Sequence, residues 1–123
     1  MTLIDTSVWV DYFRRGDTLV SALMSDRNAG MHPFVVGEIA VGNVKNRART
    51  LADFAFLAHL EVADDAEVHR ILESQQLWGK GLGWIDLHIL AATKLAGWSL
   101  YTADAAMAAA ARQIGVDCLR SRA

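Results

Sequence analysis

The sequence predicts an α/β fold, a three-layer α/β/α sandwich around a central parallel sheet, for two reasons. Short continuous apolar runs alternate with longer segments of helical periodicity. Apolar runs without polar alternation are typical of strands buried on both faces, and helices between such strands form right-handed crossovers that cover the sheet. A chain of 123 residues with 53% apolar content fits a single domain, residues 1–123.

The first half of the chain is predicted to contain one strand and four helices. Residues 2–5 form an apolar run that fits a buried strand ending at an acid. Trp9, Tyr12 and Phe13 recur at helical spacing and predict the first helix. The further helices are predicted at residues 18–27, 34–44 and 48–60.

The second half of the chain is predicted to contain three helices and three strands. A short apolar link at residues 60–63 fits a strand, and the glycines at 79, 81 and 83 separate two amphipathic helices. An alanine-rich helix follows an aromatic strand near the end. The helices are predicted at residues 65–78, 84–96 and 105–112, and the other strands at 98–102 and 116–119.

Four carboxylates differ from the other acids because each lies among apolar or small neighbours. They are Asp5, Glu38, Asp86 and Asp104, and no Lys or Arg lies within three residues of any of them. A carboxylate that loses water without gaining a partner either protonates or binds a cation. Oxygen ligands without His or Cys at ligand spacing favour Mg²⁺ or Mn²⁺ over Zn²⁺. The pattern therefore predicts a divalent metal site.

The predicted topology brings these acids to one edge of the sheet. Asp5 ends the first strand and Asp104 closely follows the strand at 98–102, and ligands of parallel sheets collect beyond the carboxyl ends of the strands. Glu38 and Asp86 share helix faces with apolar residues, so we expect both to point inward and all four acids to meet at one point.

Each acid also has a purely structural interpretation. Asp5 and Asp104 are in positions to cap the helices that follow them, and Asp86 is in a position to interact with the helix dipole in its first turn. Glu38 has no capping position, and its structural alternative is a snorkelling or water-bridged glutamate.

A site of this kind suits hydrolysis of phosphodiester bonds. Mg²⁺ keeps several of its waters, which leaves room for phosphate oxygens and an attacking water. Thr6, Ser7 and Thr102 are candidates to orient an acid or a metal-bound water, although hydroxyls also serve caps and turns. His88 is expected to be a packed or rim histidine rather than a catalytic base. The sequence has no nucleophile elbow around Ser7 and no phosphate-binding glycine pattern.

The charge balance limits how the chain would hold nucleic acid. A net charge of −2 argues against binding mainly through a basic coat. Bound Mg²⁺ would bring positive charge to the site, and the remaining cations would then need to form only a local track. Solvated helix faces are the alternative interpretation of the same cations. The candidates for the track are Arg14, Arg15, Lys45, Arg47 and Arg49.

Cysteine use and the start of the chain favour a cytoplasmic protein. The single cysteine, Cys118, has no partner for an internal disulfide, which is typical of a reducing compartment. Asp5 and Asp11 precede the first basic pair, Arg14 and Arg15, which is the reverse of a signal peptide. The sequence has no run of about 18 residues without a charge, so no membrane span is predicted.

Four segments of the chain carry its most specific patterns: residues 3–9 (LIDTSVW), 36–39 (VGEI), 83–92 (GWIDLHILAA) and 100–104 (LYTAD). In their order and spacing they resemble the PIN-domain ribonucleases and, more narrowly, the VapC-type toxins of bacterial type II toxin–antitoxin pairs. The resemblance covers essentially the whole chain. It implies an α/β/α sandwich, Mg²⁺-dependent endoribonuclease activity, homodimerisation with the possibility of larger toxin–antitoxin assemblies, and inhibition by a cognate antitoxin.

The resemblance also implies roles for individual residues. It places the acids of the family at Asp5, Glu38, Asp86 and Asp104, and its hydroxyl at Thr102. Asp5 and Asp86 are the expected metal ligands, and Glu38 shares or shapes the site. A basic residue is common in the family just after the fourth acid, where this chain has two alanines, so the number of metal ions and one RNA contact stay open.

A partner surface is predicted near the N-terminus. The first two helices carry more large apolar side chains than a small sheet needs, so some are expected to form an exposed groove for an antitoxin segment, with ordinary core as the alternative. A basic side chain of that partner, inserted among the acids, would block catalysis by replacing the metal charge. The residues of this groove are Trp9, Tyr12, Phe13, Leu19, Leu23 and Met24.

Two other functions remain open at this point. One is a catalytically weak PIN-like module that binds RNA or protein without cutting, since a fold can outlast its chemistry. The other is a metal-dependent phosphatase that acts on small substrates. The choice of RNA over DNA is implied by the resemblance alone.

Overall fold

The computed structural model describes residues 1–121, so the last two residues of the predicted domain lie outside the described part. Five strands and seven helices alternate along residues 1–121. Strands β1 to β5 are Thr2–Ile4, Ala29–Met31, Ala58–His59, Ser99–Thr102 and Cys118–Arg120. Helices α1 to α7 are Thr6–Arg15, Thr18–Ser25, Pro33–Ala40, Arg47–Phe54, Asp65–Ser74, Trp84–Ala96 and Ala105–Gln113.

All strand pairs in the sheet are parallel, in the order β3-β2-β1-β4-β5. The predicted α/β fold with a central parallel sheet is therefore confirmed. Strand β1 lies at the centre, where Leu3 pairs with Gly30 on one side and with Leu100 on the other. The chain order reverses between β1 and β4, and the crevice beyond the carboxyl ends of two such strands is where parallel α/β sheets bind ligands.

The helices form two groups, which agrees with right-handed crossovers. From β1 the chain moves to β2 and then to β3, towards one edge of the sheet. It then returns past β1 to β4 and moves on to β5, towards the other edge. With one handedness, the two sets of helices cover opposite faces. Helix α1 contacts α3 and α3 contacts α4, whereas α5 packs on α6 and α6 on α7.

Several helices begin or end at a residue with a recognisable capping role. The Asp17 carboxylate accepts from the backbone N–H groups of Leu19 and Val20 at 2.9 and 3.1 Å and begins α2. His32 begins α3 by accepting from the Phe34 N–H through Nδ1 at 2.9 Å, with a proline in the first turn. Helix α6 ends at Gly97, whose φ of 70° lies in the left-handed region that favours glycine.

The sequence did not predict strand β2. Its three residues, Ala29, Gly30 and Met31, include a glycine and no β-branched residue, so the strand lacks the usual compositional signal. The glycine has a packing reason, because a Cβ at Gly30 would lie 2.2 Å from Cζ3 of Trp98. The half-buried Trp98 ring thus lies directly on the backbone of β2.

Several predicted boundaries were wrong in the middle of the chain. Helices α3, α4 and α5 end at Ala40, Phe54 and Ser74, earlier than predicted, and β3 precedes rather than follows residue 60. Leu60 donates its N–H to the Met31 carbonyl at 2.8 Å, so an apolar residue that fitted the helical period belongs to the edge of the sheet. After α5 the chain turns at Gln76, whose φ is 53°.

None of the helices in residues 1–121 is both long and apolar enough to cross a membrane.

We expect Gly30→Ala to destabilise the protein by about 1–3 kcal/mol, because the added methyl group overpacks the contact with Trp98. Urea unfolding measures the change. The same substitution made in a Trp98→Leu background should cost clearly less, since the ring that it meets has been removed. Equal costs in both backgrounds would contradict this account of the strand.

Candidate metal centre at the carboxyl edge of the sheet

Asp5 directly follows β1 and is the most enclosed of the four acids, with 7% of its surface exposed. Its Oδ1 accepts from the Thr6 N–H at 2.9 Å, which begins α1. Its Oδ2 accepts from the Thr102 hydroxyl at 2.7 Å and the Ser7 hydroxyl at 3.1 Å. Burial raises the pKa of Asp5 above its usual value, these hydrogen bonds oppose the shift, and the charge of Asp86 adds to it.

The hydroxyls around Asp5 also join β1 to the segment after β4. Thr102 is fully buried, and its Oγ1 donates to Asp5 while it accepts from the Asp104 N–H at 3.1 Å. Ser7 donates to Asp5 and accepts from the Ala103 N–H at 3.0 Å. Both hydroxyls are therefore held in one orientation, with their protons directed at the carboxylate.

Asp104 adopts the capping role that the sequence left open for it, and Asp86, for which the sequence left open a dipole interaction in the first turn of α6, makes a capping hydrogen bond there. Oδ1 of Asp104 accepts from the N–H groups of Ala106 and Met107 at 2.8 and 3.2 Å and begins α7. Oδ2 of Asp86 accepts from the Gly83 N–H at 2.9 Å at the start of α6. Within residues 1–121 neither acid makes a hydrogen bond through its second oxygen. Capping therefore occupies one oxygen of each and leaves the other available.

The expected inward direction of Glu38 was wrong. Glu38 is exposed, because the buried face of α3 is formed by Val35 and Ile39 and the glutamate lies at the edge of that face. Its Oε1 accepts from the Thr6 hydroxyl at 2.9 Å. Since Thr6 directly follows Asp5, Glu38 lies at the rim of the same site.

The expectation that the four acids meet at one point was wrong. Among residues 1–121, no three Asp, Glu, His or Cys side chains lie close enough together to hold a metal ion. Asp5 interacts electrostatically with Asp86, and it is joined to the Glu38 carboxylate through Thr6. Thr102 joins the Asp5 carboxylate to the backbone N–H of Asp104. Asp5 is thus the central carboxylate, with Asp86 and Glu38 beside it and the start of α7 held next to it. Mg²⁺ fits such a donor set, because it usually takes one or two carboxylates and completes its shell with water and phosphate oxygens.

A row of aromatic rings joins the two helices that carry Glu38 and Asp86. His32 is fully buried, and its Nδ1 accepts a hydrogen bond, which assigns the ring proton to Nε2. The Phe34 ring lies 5.0 Å from the His32 ring and 5.2 Å from the His88 ring. His88 is buried, as predicted, and contacts Asp65 at 3.0 Å.

His32 was not predicted from the sequence. Pro33 gave a usable signal, since proline is typical of the first helical position and makes residue 32 the capping position.

Only part of the predicted basic track lies beside the site. Arg14 and Lys45 line an open depression that also includes Glu38, and Arg47 donates to the Ala40 carbonyl at 2.8 Å at the end of α3. Arg15 instead pairs with Asp11 at 3.6 Å along α1. Arg49 is exposed on α4.

The predicted apolar groove is partly core and partly surface. Trp9 is buried, and Phe13 is 37% exposed. A shallow depression of about 260 Å³ lies between α1, α2 and α4, and Tyr12 and Met24 line it together with these two residues. Leu19 and Leu23 pack against the core and do not line this depression.

Comparison with known proteins defines the class to which this fold and site belong. Residues 2–113 match the sequence profile of the PIN domain, so the chain belongs to the PIN-domain family. Within that family it is of the VapC type, and it is 38% identical over 117 residues to Ribonuclease VapC32 of Mycobacterium tuberculosis, in an alignment that covers 94% of each chain.

Solved structures share the fold at low sequence identity. FitAcB from Neisseria gonorrhoeae matches with a TM-score of 0.67 and 17% identity, over 98% of this chain and 97% of that one. PAE2754 from Pyrobaculum aerophilum matches with a TM-score of 0.64 and 18% identity, over 95% of this chain and 87% of that one. FitAB bound to an IR36 DNA fragment matches with a TM-score of 0.64 and 16% identity, over 98% and 94%.

We expect His32 to make the folded state sensitive to acid. Burial, and then the nearby charges of His88 and His59, lower the pKa of His32 from 6.5 to about 4. The unfolded chain therefore takes up a proton at higher pH than the folded chain does. Stability from this residue is complete above pH 6.5 and falls as the pH drops towards 4, by up to about 3 kcal/mol.

His32→Asn is the matched variant, because asparagine also caps helices and does not titrate. The free energy of unfolding, measured by urea between pH 7 and pH 4, should fall less steeply in this variant than in the wild type. Parallel curves would show that His32 is not the group responsible.

Proposed function

We propose that the protein is a metal-dependent endoribonuclease, the toxin of a type II toxin–antitoxin pair, which hydrolyses RNA phosphodiester bonds. The observation that carries the proposal is the buried Asp5 carboxylate at the point where the strand order reverses, with the charge of Asp86 nearby and Glu38 linked to it through Thr6. The similarity to a protein named as a ribonuclease supports RNA as the substrate.

Asp5 and Asp86 are the proposed metal ligands, with Glu38 and Asp104 at the rim of the site. Mg²⁺, or Mn²⁺ in its place, would offset the carboxylate charge, polarise a phosphate oxygen and acidify a water. Thr102 and Ser7 fix the orientation of Asp5 through its Oδ2.

Glu38 is the proposed acceptor of the proton from the attacking water. Its Oε1 is held by Thr6, and its Oε2 makes no hydrogen bond within residues 1–121. The water oxygen forms a bond to phosphorus while its proton passes to Oε2. The bond from phosphorus to the departing ribose oxygen breaks, and that oxygen takes a proton from solvent.

We further propose that the protein binds an antitoxin, forms a homodimer and is located in the cytoplasm. We place an apolar segment of the antitoxin on the depression between α1, α2 and α4, where Phe13 and Met24 are partly exposed. A basic side chain of the antitoxin that reached the acids would compete with the metal ion for their charge.

We expect Asp5→Asn to reduce RNA cleavage by about 100-fold or more, because loss of a metal ligand removes several kcal/mol of charge stabilisation. The measurement is cleavage of a labelled RNA with Mg²⁺, with Mn²⁺ and with a chelator. Activity should vanish with the chelator and return with either ion. Asp117→Asn, an exposed acid at the other edge of the sheet, is the matched control and should cleave normally.

The separated arrangement of the acids favours one competing function, a PIN-like module that binds RNA without cutting it. Metal-independent RNA binding without cleavage by the wild type would support that module and contradict the enzyme. Hydrolysis of a small phosphate ester at a rate that exceeds RNA cleavage would indicate a phosphatase instead.

We expect Met24→Glu to weaken binding of the antitoxin while RNA cleavage is retained, because a charge would enter the apolar depression. The partner is sought as the product of the neighbouring gene that copurifies with the toxin and inhibits it. The measurement is the inhibition curve of the wild type and of Met24→Glu, provided that the two proteins have similar unfolding midpoints. Equal inhibition would contradict this placement of the partner.

A further inference from the structure

An open depression of about 530 Å³ lies beside Glu38, between α1, α3 and residues 42–45. It is separate from the smaller depression assigned to the antitoxin, although Phe13 borders both. The residues that matter here are Val10, Phe13, Arg14, Glu38, Val44 and Lys45.

The rim of this depression carries two cations, Arg14 and Lys45, that are not part of an ion pair within residues 1–121. The adjacent Arg15, by contrast, is paired with Asp11. Arg47, anchored on the Ala40 carbonyl, extends the basic side beyond residue 45. In a chain of net charge −2, these free cations give this surface a local attraction for anions.

The floor of the depression is apolar and includes an aromatic ring. Val10 and Phe13 are 44% and 37% exposed, and Val44 is half-buried. Phe13 is held by stacking on Trp9, with ring centroids 5.9 Å apart. A fixed aromatic ring beside unpaired cations is the arrangement that binds single-stranded nucleic acids, through base stacking and phosphate contacts.

One acid of the candidate metal centre, Glu38, borders the depression. Its Oε1 accepts from the Thr6 hydroxyl, one residue from Asp5. A chain of phosphates bound along the rim would therefore lead towards the proposed cleavage site.

We propose that this depression holds one unpaired nucleotide of the RNA substrate next to the bond that is cut, with its base against Phe13 and its flanking phosphates at Arg14 and Lys45. The inference rests on the proposed function and deepens it, because it gives one nucleotide of the substrate a binding position beside the proposed cleavage site. Free cations favour a polyanion over an apolar peptide segment as the occupant. A base within an A-form duplex is stacked and paired, so a duplex cannot place a base on this floor.

The double variant Arg14→Gln/Lys45→Gln tests the phosphate contacts. With a fluorescent single-stranded RNA oligonucleotide that the wild type cleaves in Mg²⁺, we expect KM to rise by about tenfold and kcat to stay within about twofold. The slope of log Kd against log salt concentration should become shallower by about 1.4, which is two phosphate contacts at about 0.7 each.

The charge-matched control is Lys94→Gln/Arg112→Gln, which removes two cations near the far ends of α6 and α7. Its KM and salt slope should equal those of the wild type. Phe13→Tyr should retain binding and Phe13→Ala should lose it, provided that both have unfolding midpoints near that of the wild type. The same oligonucleotide annealed to its complement should not be cleaved.

Three results would overturn the proposal. The first is an unchanged KM and salt slope in Arg14→Gln/Lys45→Gln while the wild type cleaves normally, which leaves the proposed function intact. The second is a double variant, Arg14→Gln/Lys45→Gln, that binds RNA as the wild type does but is no longer inhibited by the antitoxin, which assigns the depression to the protein partner. The third is duplex cleavage as fast as single-strand cleavage.

If the wild type does not cleave RNA at all, the proposed function fails separately. Fluorescence anisotropy with the same oligonucleotide then decides the inference, through loss or retention of binding in the double variant.

Discussion

The carboxylate of Asp5 holds together the end of the central strand, the start of α1 and the segment after β4. The backbone N–H of Asp5 continues the pairing of β1 by donating to the Tyr101 carbonyl at 2.9 Å. The backbone carbonyl of Asp5 accepts from the N–H groups of Val8 and Trp9 in the first turn of α1. Its side chain accepts three further hydrogen bonds. An acid this enclosed keeps its charge only at a cost in free energy, which the hydrogen bonds reduce and a bound cation would offset.

The surrounding acids combine structural and chemical roles. Asp86 and Asp104 each use one oxygen to begin a helix, and Glu38 is held by a threonine hydroxyl. The cap fixes the carboxylate in place, so the second oxygen is presented from a rigid position rather than from a mobile side chain. Capping and metal binding are therefore compatible in this chain, although from the sequence they are alternatives. The rings of His32, Phe34 and His88 add a packed connection between the helices that carry Glu38 and Asp86.

The sequence predicts the fold class and the placement of Asp5 well, because both follow from short-range patterns. A buried apolar run that ends in an acid specifies a strand followed by a cap, and alternation with helices specifies a parallel sheet. Strand β2 lacks such a pattern, since Gly30 is set by the Trp98 ring, 68 positions further along the chain. The direction of Glu38 is likewise decided by the neighbours of α3, and periodicity alone does not separate a face from its edge.

The distances among the acids could not be predicted from the sequence either. Placing four carboxylates at one edge follows from topology, but whether they touch depends on helix positions that no local pattern encodes. The hydroxyls of Thr6 and Thr102 turn out to be the connections, which explains why the acids are joined without forming a tight cluster.

Anomalous scattering from crystals grown with Mn²⁺ tests the central claim most directly. We expect a peak at ligand distance, about 2.0–2.3 Å, from the carboxylates of Asp5 and Asp86, with water completing the shell. The peak should be absent from crystals of the Asp5→Asn protein grown in the same way. Saturating Mn²⁺ that leaves no peak beside Asp5, or a peak that persists unchanged in Asp5→Asn, would contradict the role given to this carboxylate.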